Sequence, residues 1–272
     1  MKKPSRKNRP AKSRIKPRAG VRSVSELQLY AIPGMPEIRK GEDLATRIVD
    51  AGEKAGLGFE EGDIVVVAQK IVSKAEGAVV SLRTVKPSEK ALTLAAELKK
   101  DARAIEVVLR ESRRVLRSER VLITETRHGF VCANAGVDHS NVPGKDLVTL
   151  LPRNPDGSAE KLALELREKT GKRVAVIISD TFGRSWRLGL TNVAIGASGM
   201  PVLVDLRGSK DREGKRLTAT VLAVADELAA AAGLLMGKSE GTPVVLIRGY
   251  RYEATSEKAA SIIRPASEDL FR

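Results

Sequence analysis

Short unbroken aliphatic runs, set between stretches with helical spacing, dominate this sequence. The longest run, VAVIIS at residues 174–179, leads straight into Asp180 and Thr181. A run of this kind reads as a strand buried on both faces. IVVVA at residues 64–68 and the apolar part of TPVVLIRGY predict two more such strands, and LQLYAIPGMPEI predicts a strand running into a Pro/Gly turn. Helical spacing governs GEDLATRIVDAGEKAG, which stops at Gly56, and then PSEKALTLAAELKK and DARAIEVVLRESRRVLR, two consecutive amphipathic helices. DGSAEKLALELREKTGK is a fourth helix, with Asp156 or Ser158 near its start and Gly171 just past its end. LTATVLAVADELAAAAGLLMG predicts a fifth. RVLITETRHGFVCANAGVDHSNVPG alternates in its first part and reads as a β-hairpin ending in a polar loop. There is no internal repeat. Strands and helices that alternate irregularly, with a hairpin among them, indicate an α+β fold of mixed sheets and packed helices rather than a clean doubly wound sheet.

Composition adds bounds. The 272 residues are 42% hydrophobic but only 3% aromatic, so the core is built mainly from Val, Leu, Ile and Ala. No apolar run approaches the roughly 20 residues of a membrane-spanning helix, and the charged N-terminus has no apolar segment behind it, unlike a secretory signal. One cysteine, Cys132, excludes an internal disulfide and a Cys-based zinc site, and its apolar surroundings mark it as a buried thiol rather than a nucleophile. These features fit a cytoplasmic protein. The net charge of +14 is concentrated at one end: residues 1–22 hold ten Lys or Arg and no acid, and the remainder carries only +4. That segment, with three prolines and almost nothing apolar, is expected to be a disordered basic tail ahead of one domain at 23–272. Counterion release makes the tail a candidate contact for RNA, DNA or an acidic surface; a solubilising extension is the alternative.

Several motifs are excluded. GLLMGKSEG invites a phosphate-loop reading, but the spacing from Gly233 is one residue short and the segment runs from helix to strand, the reverse of the Walker order. No G-x-G-x-x-G follows a strand, so a Rossmann site is unsupported. His128 and His139 are the only histidines, which argues against His-rich metal sites and most Ser-His catalysis. What remains is a set of oxygen and cation donors at strand exits: Asp138 and Asn141 in NAGVDHSN, Asp180 and Thr181 after the longest run, Lys74 in SKAEG, and Arg184. Carboxylates with hydroxyls suit Mg²⁺ or Mn²⁺, which share ligands with substrate phosphates, and Lys74 and Arg184 suit phosphoryl charge. The plainer reading of Asp180 or Thr181 is a cap for a following helix. On residue chemistry alone, the set points to a nucleotide-dependent enzyme without a Walker fold. A metal-dependent phosphohydrolase, or a nucleic-acid-binding protein acting through its tail, is the rival class.

Five segments in order, VSKAEG, NAGVDHSN, NPDGSAEKL, VIISDTFGR and VADELAAAAGLLMG, resemble the coenzyme F-420 γ-glutamyl ligase family over about Leu29 to Arg248. The resemblance implies a GTP-dependent ligase that joins L-glutamate to the deazaflavin precursor F-420-0 through an acyl phosphate. It also implies an unusual α+β fold of intertwined lobes, a homodimer, two Mg²⁺ or Mn²⁺ ions and K⁺. Carried across by motif, Asp138 and Asp180 ligate one divalent ion and Thr181 the second. Met35, Pro36, Glu37, Ile38, Gln69, Lys70, Lys74 and Asn141 meet the nucleotide, and the loop of Met236, Gly237, Lys238, Ser239, Glu240 and Gly241 closes over the phosphates. This chain departs from the pattern at Lys238, where some members have an acidic metal ligand. Glu240 is the nearby substitute.

Overall fold

The computed structural model describes residues 26–142 and 144–269; the basic tail at 1–22 lies outside them. The chain begins with β1 (Gln28–Ala31), α1 (Leu44–Lys54), β2 (Ile64–Ala68), α2 (Gln69–Glu76) and β3 (Val79–Ser81). It continues through α3 (Glu89–Leu98), α4 (Ala102–Glu111), β4 (Ser112–Arg117), β5 (Ile123–Thr126), β6 (Val131–Ala133) and β7 (Leu147–Thr149). Then come α5 (Pro155–Thr170), β8 (Ala175–Arg184), β9 (Arg187–Ser198), β10 (Val204–Asp205) and β11 (Val221–Leu222). The last two are α6 (Val224–Met236) and β12 (Val244–Arg248).

The three unbroken aliphatic runs are the central strands of one sheet, in the order β1-β12-β2-β8-β9. Alternate residues of each serve two different cores. Val65, Val67, Val176, Ile178, Val244 and Leu246 face α1 and α5, while Ile64, Val66, Ala175, Ile177, Val245 and Ile247 face α6. Both faces are covered, so no polar alternation appears in these segments. Each fully buried Val or Ile contributes about 1.5–3 kcal/mol of transfer free energy. A third core, with Leu82, Ile105, Val108, Leu122 and Val148, lies in a second lobe formed by α3, α4, the β3–β7 pair and the β4-β5-β6 sheet. The chain leaves the main sheet after α2 and returns to it with α5, so the second lobe is an insertion between two neighbouring central strands. The architecture is α+β with mixed sheets.

Local signals set the helix ends. Asp43, Ser88, Asp101 and Asn154 cap α1, α3, α4 and α5 through side-chain acceptors for first-turn N–H groups. The fourth predicted helix begins at Pro155 with Asn154 as its cap, and Asp156 and Ser158 lie near its start as expected; Asp156 is buried and accepts from the N–H groups of Ala197, Ala259 and Ala260.

The structure differs from the sequence reading at four places. The second amphipathic helix stops at Glu111, and SRRVLR becomes β4. Its Arg113 and Arg114 donate to the buried Glu125 of β5 at 3.1 and 2.7 Å. An unpaired buried carboxylate costs several kcal/mol, so the tertiary pairing overrides helix periodicity. The fifth helix begins only at Val224, because Val221–Leu222 pair with Val204–Asp205. Val131–Ala133 of GFVCANAG is the return strand of the predicted hairpin. β9, twelve residues long, went unread because LGLTNVAIGAS is broken by glycines and exposed over its first part. Finally, no helix follows Asp180: β8 runs on to Arg184 in an antiparallel pairing with β9. The capping alternative for Asp180 and Thr181 is thereby removed.

Candidate active site at the carboxyl ends of β2 and β8

β2 and β8 are parallel and in register from Ile64 opposite Ala175 to Ala68 opposite Ser179. Their carboxyl ends therefore open at one edge, the place where ligands enter α/β crevices. Asp180 lies one residue past the last paired position, and β2 turns directly into α2 at Gln69. No side chain caps α2, so its first-turn N–H groups and the positive end of its dipole are directed at this edge.

Alternation along β8 divides the two candidate ligands. Asp180 shares a face with Phe182, which packs against the core under α1 and α5. Thr181 faces the other side, where its hydroxyl donates to Asn192 of β9 at 3.0 Å and Asn192 in turn contacts Met236. Adjacent strand residues point to opposite faces, so Asp180 and Thr181 cannot offer their side chains to the same small ion.

The NAGVDHSN segment brings Asp138 to the Asp180 face. Asn134, Ala135 and Gly136 all have positive φ, at 52°, 53° and 71°, which reverses the chain sharply after β6. A Cβ at Gly136 would stand 2.6 Å from Leu151, so only glycine fits there. The turn places Asp138 in a two-way backbone bridge with Thr149. Lys70, in the first turn of α2, then donates to Asp138 at 2.6 Å and to the Ser140 hydroxyl and carbonyl at 2.6 and 2.8 Å. The backbone N–H and hydroxyl of Ser140 also donate to Asp138. Partial desolvation works against ionisation of Asp138, but the bonds from Lys70 and Ser140 outweigh it and hold its carboxyl below the ordinary range.

Asp180 behaves in the opposite way. Burial pushes its carboxyl up to about 6, and the charge of Asp138 adds to the rise. The Thr181 N–H and the charges of Lys70 and Lys238 offset only part of it. A desolvated carboxylate beside a second carboxylate is a position that a cation relieves. Cys132 is buried in the same neighbourhood. Its thiol is pushed up to about 12 by burial and by the Asp180 charge, so it is an inert core thiol, as expected.

The loop before β12 closes the other side. Lys238 donates to the Thr181 hydroxyl at 2.9 Å, and the Asn141 amide reaches the Lys238 carbonyl at 3.4 Å. Glu240 folds back over Gly237, in the space a Cβ would fill, and accepts from the N–H groups of Lys238 and Ser239. In this arrangement Glu240 caps its own loop, and it is Lys238, not Glu240, that is brought to Thr181.

Lys74, nearly buried, pairs with Glu37 at 2.6 Å, which ties the Met35–Ile38 turn to α2. Ile38 is core and Met35 packs on it, while Pro36 and Glu37 are exposed. Gln69 is buried and accepts from Ser73. Arg184 lies farther along β8, its guanidinium donating to the Leu188 carbonyl at 2.6 Å. The structure thus gathers Lys70, Asp138, Asn141, Asp180, Thr181 and Lys238 at one edge, with Lys74 and Glu37 along α2. Gln69 is turned inward and Arg184 lies apart. Ser140 and Asn192 were missed. Ser140 sits inside a quoted motif and is legible as an Asx-type partner of Asp138 two residues before it; Asn192 lies in the strand that went unread.

Among the described residues, no group of three or more His, Cys, Asp or Glu side chains is arranged to hold a metal ion. The two carboxylates on one face, and the Thr181 hydroxyl on the other, suit hard divalent ions that keep water and take their remaining ligands from substrate phosphates; they do not suit zinc. A cavity of about 940 Å³ lies at the opposite ends of the strands beside Asp63 and Asp156. Both of those carboxylates are already satisfied, Asp63 by Arg248 at 2.9 and 2.7 Å.

The pattern for the F420-0:gamma-glutamyl ligase family matches residues 34–249. The chain belongs to this family. It is 46% identical over 250 residues to the coenzyme F420:L-glutamate ligase of Methanothermobacter thermautotrophicus, covering 90% of this chain and 99% of that one. The enzyme of the same name from Methanopyrus kandleri is 47% identical over 252 residues (90% and 98%). That of Archaeoglobus fulgidus is 43% identical over 247 (90% and 96%). The matched span includes every residue gathered at the strand ends.

Proposed function

We propose that this protein is a GTP-dependent ligase that joins L-glutamate to coenzyme F-420-0 through an acyl-phosphate intermediate. Family membership supports the ligase and its substrates. The observation that carries the mechanism is a desolvated Asp180 that feels the charges of Asp138, Lys70 and Lys238, with Lys70 bonded to Asp138 and Lys238 to Thr181, at the uncapped start of α2.

A carboxylate is a poor acyl donor, so it is first phosphorylated, and the glutamate amine then attacks the activated carbonyl and expels phosphate. Asp138 and Asp180 would hold one divalent cation and Thr181 a second. When bound, such ions neutralise the transferring phosphoryl group and orient it for in-line attack. Lys70 and Lys238 then turn from Asp138 and Thr181 towards phosphate oxygens, and the first-turn N–H groups of α2 bind an anion at the positive end of the helix. Lys74, held against Glu37, adds charge beside the nucleotide. The loop at 236–241 covers the phosphates, with the Asn141–Lys238 contact as its latch. None of these steps calls for a nucleophilic Ser, Cys or His. In accord with that, Cys132 is buried, His128 bonds the Arg153 carbonyl and His139 is exposed.

The homodimer is supported by the β8–β9 hairpin, whose tip exposes Trp186, Leu188 and Leu190 at 86%, 97% and 66%. So apolar a projection is unusual on a monomer. Incubation with GTP, Mn²⁺, F-420-0 and L-glutamate, read by mass spectrometry, should give an acceptor heavier by one glutamyl residue. GTP hydrolysis independent of both acceptor and glutamate would instead make the protein a phosphohydrolase.

A further inference from the structure

A second cavity, about 670 Å³, lies beside β9, between the β8–β9 hairpin, the β5–β6 hairpin and the segment around Ile262–Arg264. Its volume is within the roughly 300–1,000 Å³ of small-molecule sites. One wall is apolar. Phe130 and Phe182 meet edge to face at 6.2 Å, and Ile263 packs over Gly129. The other wall is cationic, with Arg117, Arg184 and Arg264. Among the described residues none of the three has a carboxylate within ion-pair distance. Asp226 and Asp269 also line the cavity, but one oxygen of Asp226 is committed to the Ala194 N–H of β9 at 2.9 Å. Phe182 is two residues beyond Asp180 on the same face of β8, about 7 Å along the strand, so the cavity adjoins the carboxylate pair.

We infer that this cavity seats the acyl acceptor, a large flat aromatic molecule with an anionic tail, with its ring against Phe130 and Phe182 and its negative charge towards Arg264 and Arg117. This rests on the ligase reading and adds to it the location of one substrate. The assignment follows from the three ligands' shapes. A nucleotide's phosphates belong on the lysine side of the site, at the start of α2. L-glutamate has too little apolar surface to cover two phenyl rings and Ile263. A deazaflavin presents a ring face to an aromatic wall, and the anionic charge of its tail other than the reacting carboxylate suits guanidinium groups. From this seat the carboxylate end points along β8 to Asp180, where it is phosphorylated.

Two variants test the seat. Arg264→Glu reverses the charge of an exposed side chain and does not threaten the fold. Val131→Trp, at a half-exposed lining position, fills the cavity with apolar bulk. Binding of F-420-0 is measured by calorimetry without nucleotide or glutamate, alongside KM for each substrate. Both variants should weaken F-420-0 binding at least tenfold and raise its KM to match, with KM for GTP and for glutamate changed less than twofold. Unchanged F-420-0 affinity in both variants overturns the assignment while leaving the ligase reading intact. Conversion of the protein to monomers with F-420-0 affinity unchanged would show that the cavity receives a second copy of the chain, and also overturns it. A wild-type protein that binds F-420-0 but forms no glutamyl product contradicts the ligase reading alone.

Discussion

Asp180 carries opposing demands in one side chain. It follows the fully buried half of β8, Ala175 to Ser179, and it remains a carboxylate. Burial holds its pKa at about 6, above the ordinary 3.8. As pH rises between these values the unfolded chain releases this proton before the folded one does, so the group lowers stability over that window. Asp180→Asn should therefore leave the metal-free protein at least as stable as wild type at pH 7, with the advantage fading towards pH 4, as read by denaturant melts. The same change should cut ligase turnover at least a hundredfold (about 2.7 kcal/mol), because asparagine keeps the shape but not the charge that a hard cation needs. Lys74→Ala should raise KM for GTP well above any change in KM for glutamate. Equal effects on both would remove Lys74 from the nucleotide's surroundings. Asp138, Asp180, Thr181, Asn141 and Lys238 were legible as candidates because acids, amides and lysines stand out beside aliphatic runs. Their pairings were not. Lys70 meets Asp138 across 68 residues and Lys238 meets Thr181 across 57, and no local pattern encodes such separations.

At the scale of elements, aliphatic runs and helical spacing were the readable part, and side-chain caps set where the helices begin. Asp43 is one of them. Its carboxylate accepts from the Thr46 N–H, the Thr46 hydroxyl and Lys169, and these hold its pKa at about 2, with the backbone bond the largest cause. A depressed carboxyl pKa adds stability that is complete above 3.8 and is lost as pH falls through about 2. The side chain is half exposed, so solvent screens it, and Asp43→Ala should cost about 1 kcal/mol at pH 7, a typical N-cap value. The cost should shrink towards pH 2, and a pH-independent cost would mean that the charge contributes nothing. The misread elements share one cause. SRRVLR has helical spacing but is fixed as β4 by Glu125, and the first half of β9 has no buried face of its own to give it a period. In both, the partner strand decides the outcome, and that information is non-local.

For the whole molecule, the α+β class was readable from the irregular order of strands and helices, but the insertion of the second lobe between β2 and β8 was not. That insertion places Asp138 opposite Asp180, so the site depends on both lobes. The hairpin tip is the element least explained within one chain. Replacing both Leu188 and Leu190 with Asp should convert a dimer to a monomer by light scattering, with the melting temperature of the folded chain little changed. A dimer that persists would place the interface elsewhere. Deleting residues 1–20 should leave kcat intact, since the family match begins only at residue 34.

The most direct test of the central claim follows one oxygen atom. F-420-0 labelled with ¹⁸O in its reacting carboxylate is incubated with GTP, Mn²⁺ and L-glutamate, and the released inorganic phosphate is analysed by mass spectrometry. If the carboxylate is phosphorylated before the amine attacks, one carboxylate oxygen leaves with the phosphoryl group, and each phosphate released in step with product carries one ¹⁸O. Product formed with phosphate free of ¹⁸O would contradict the acyl-phosphate route, and with it the role given to Asp138, Asp180 and the two lysines at the strand ends.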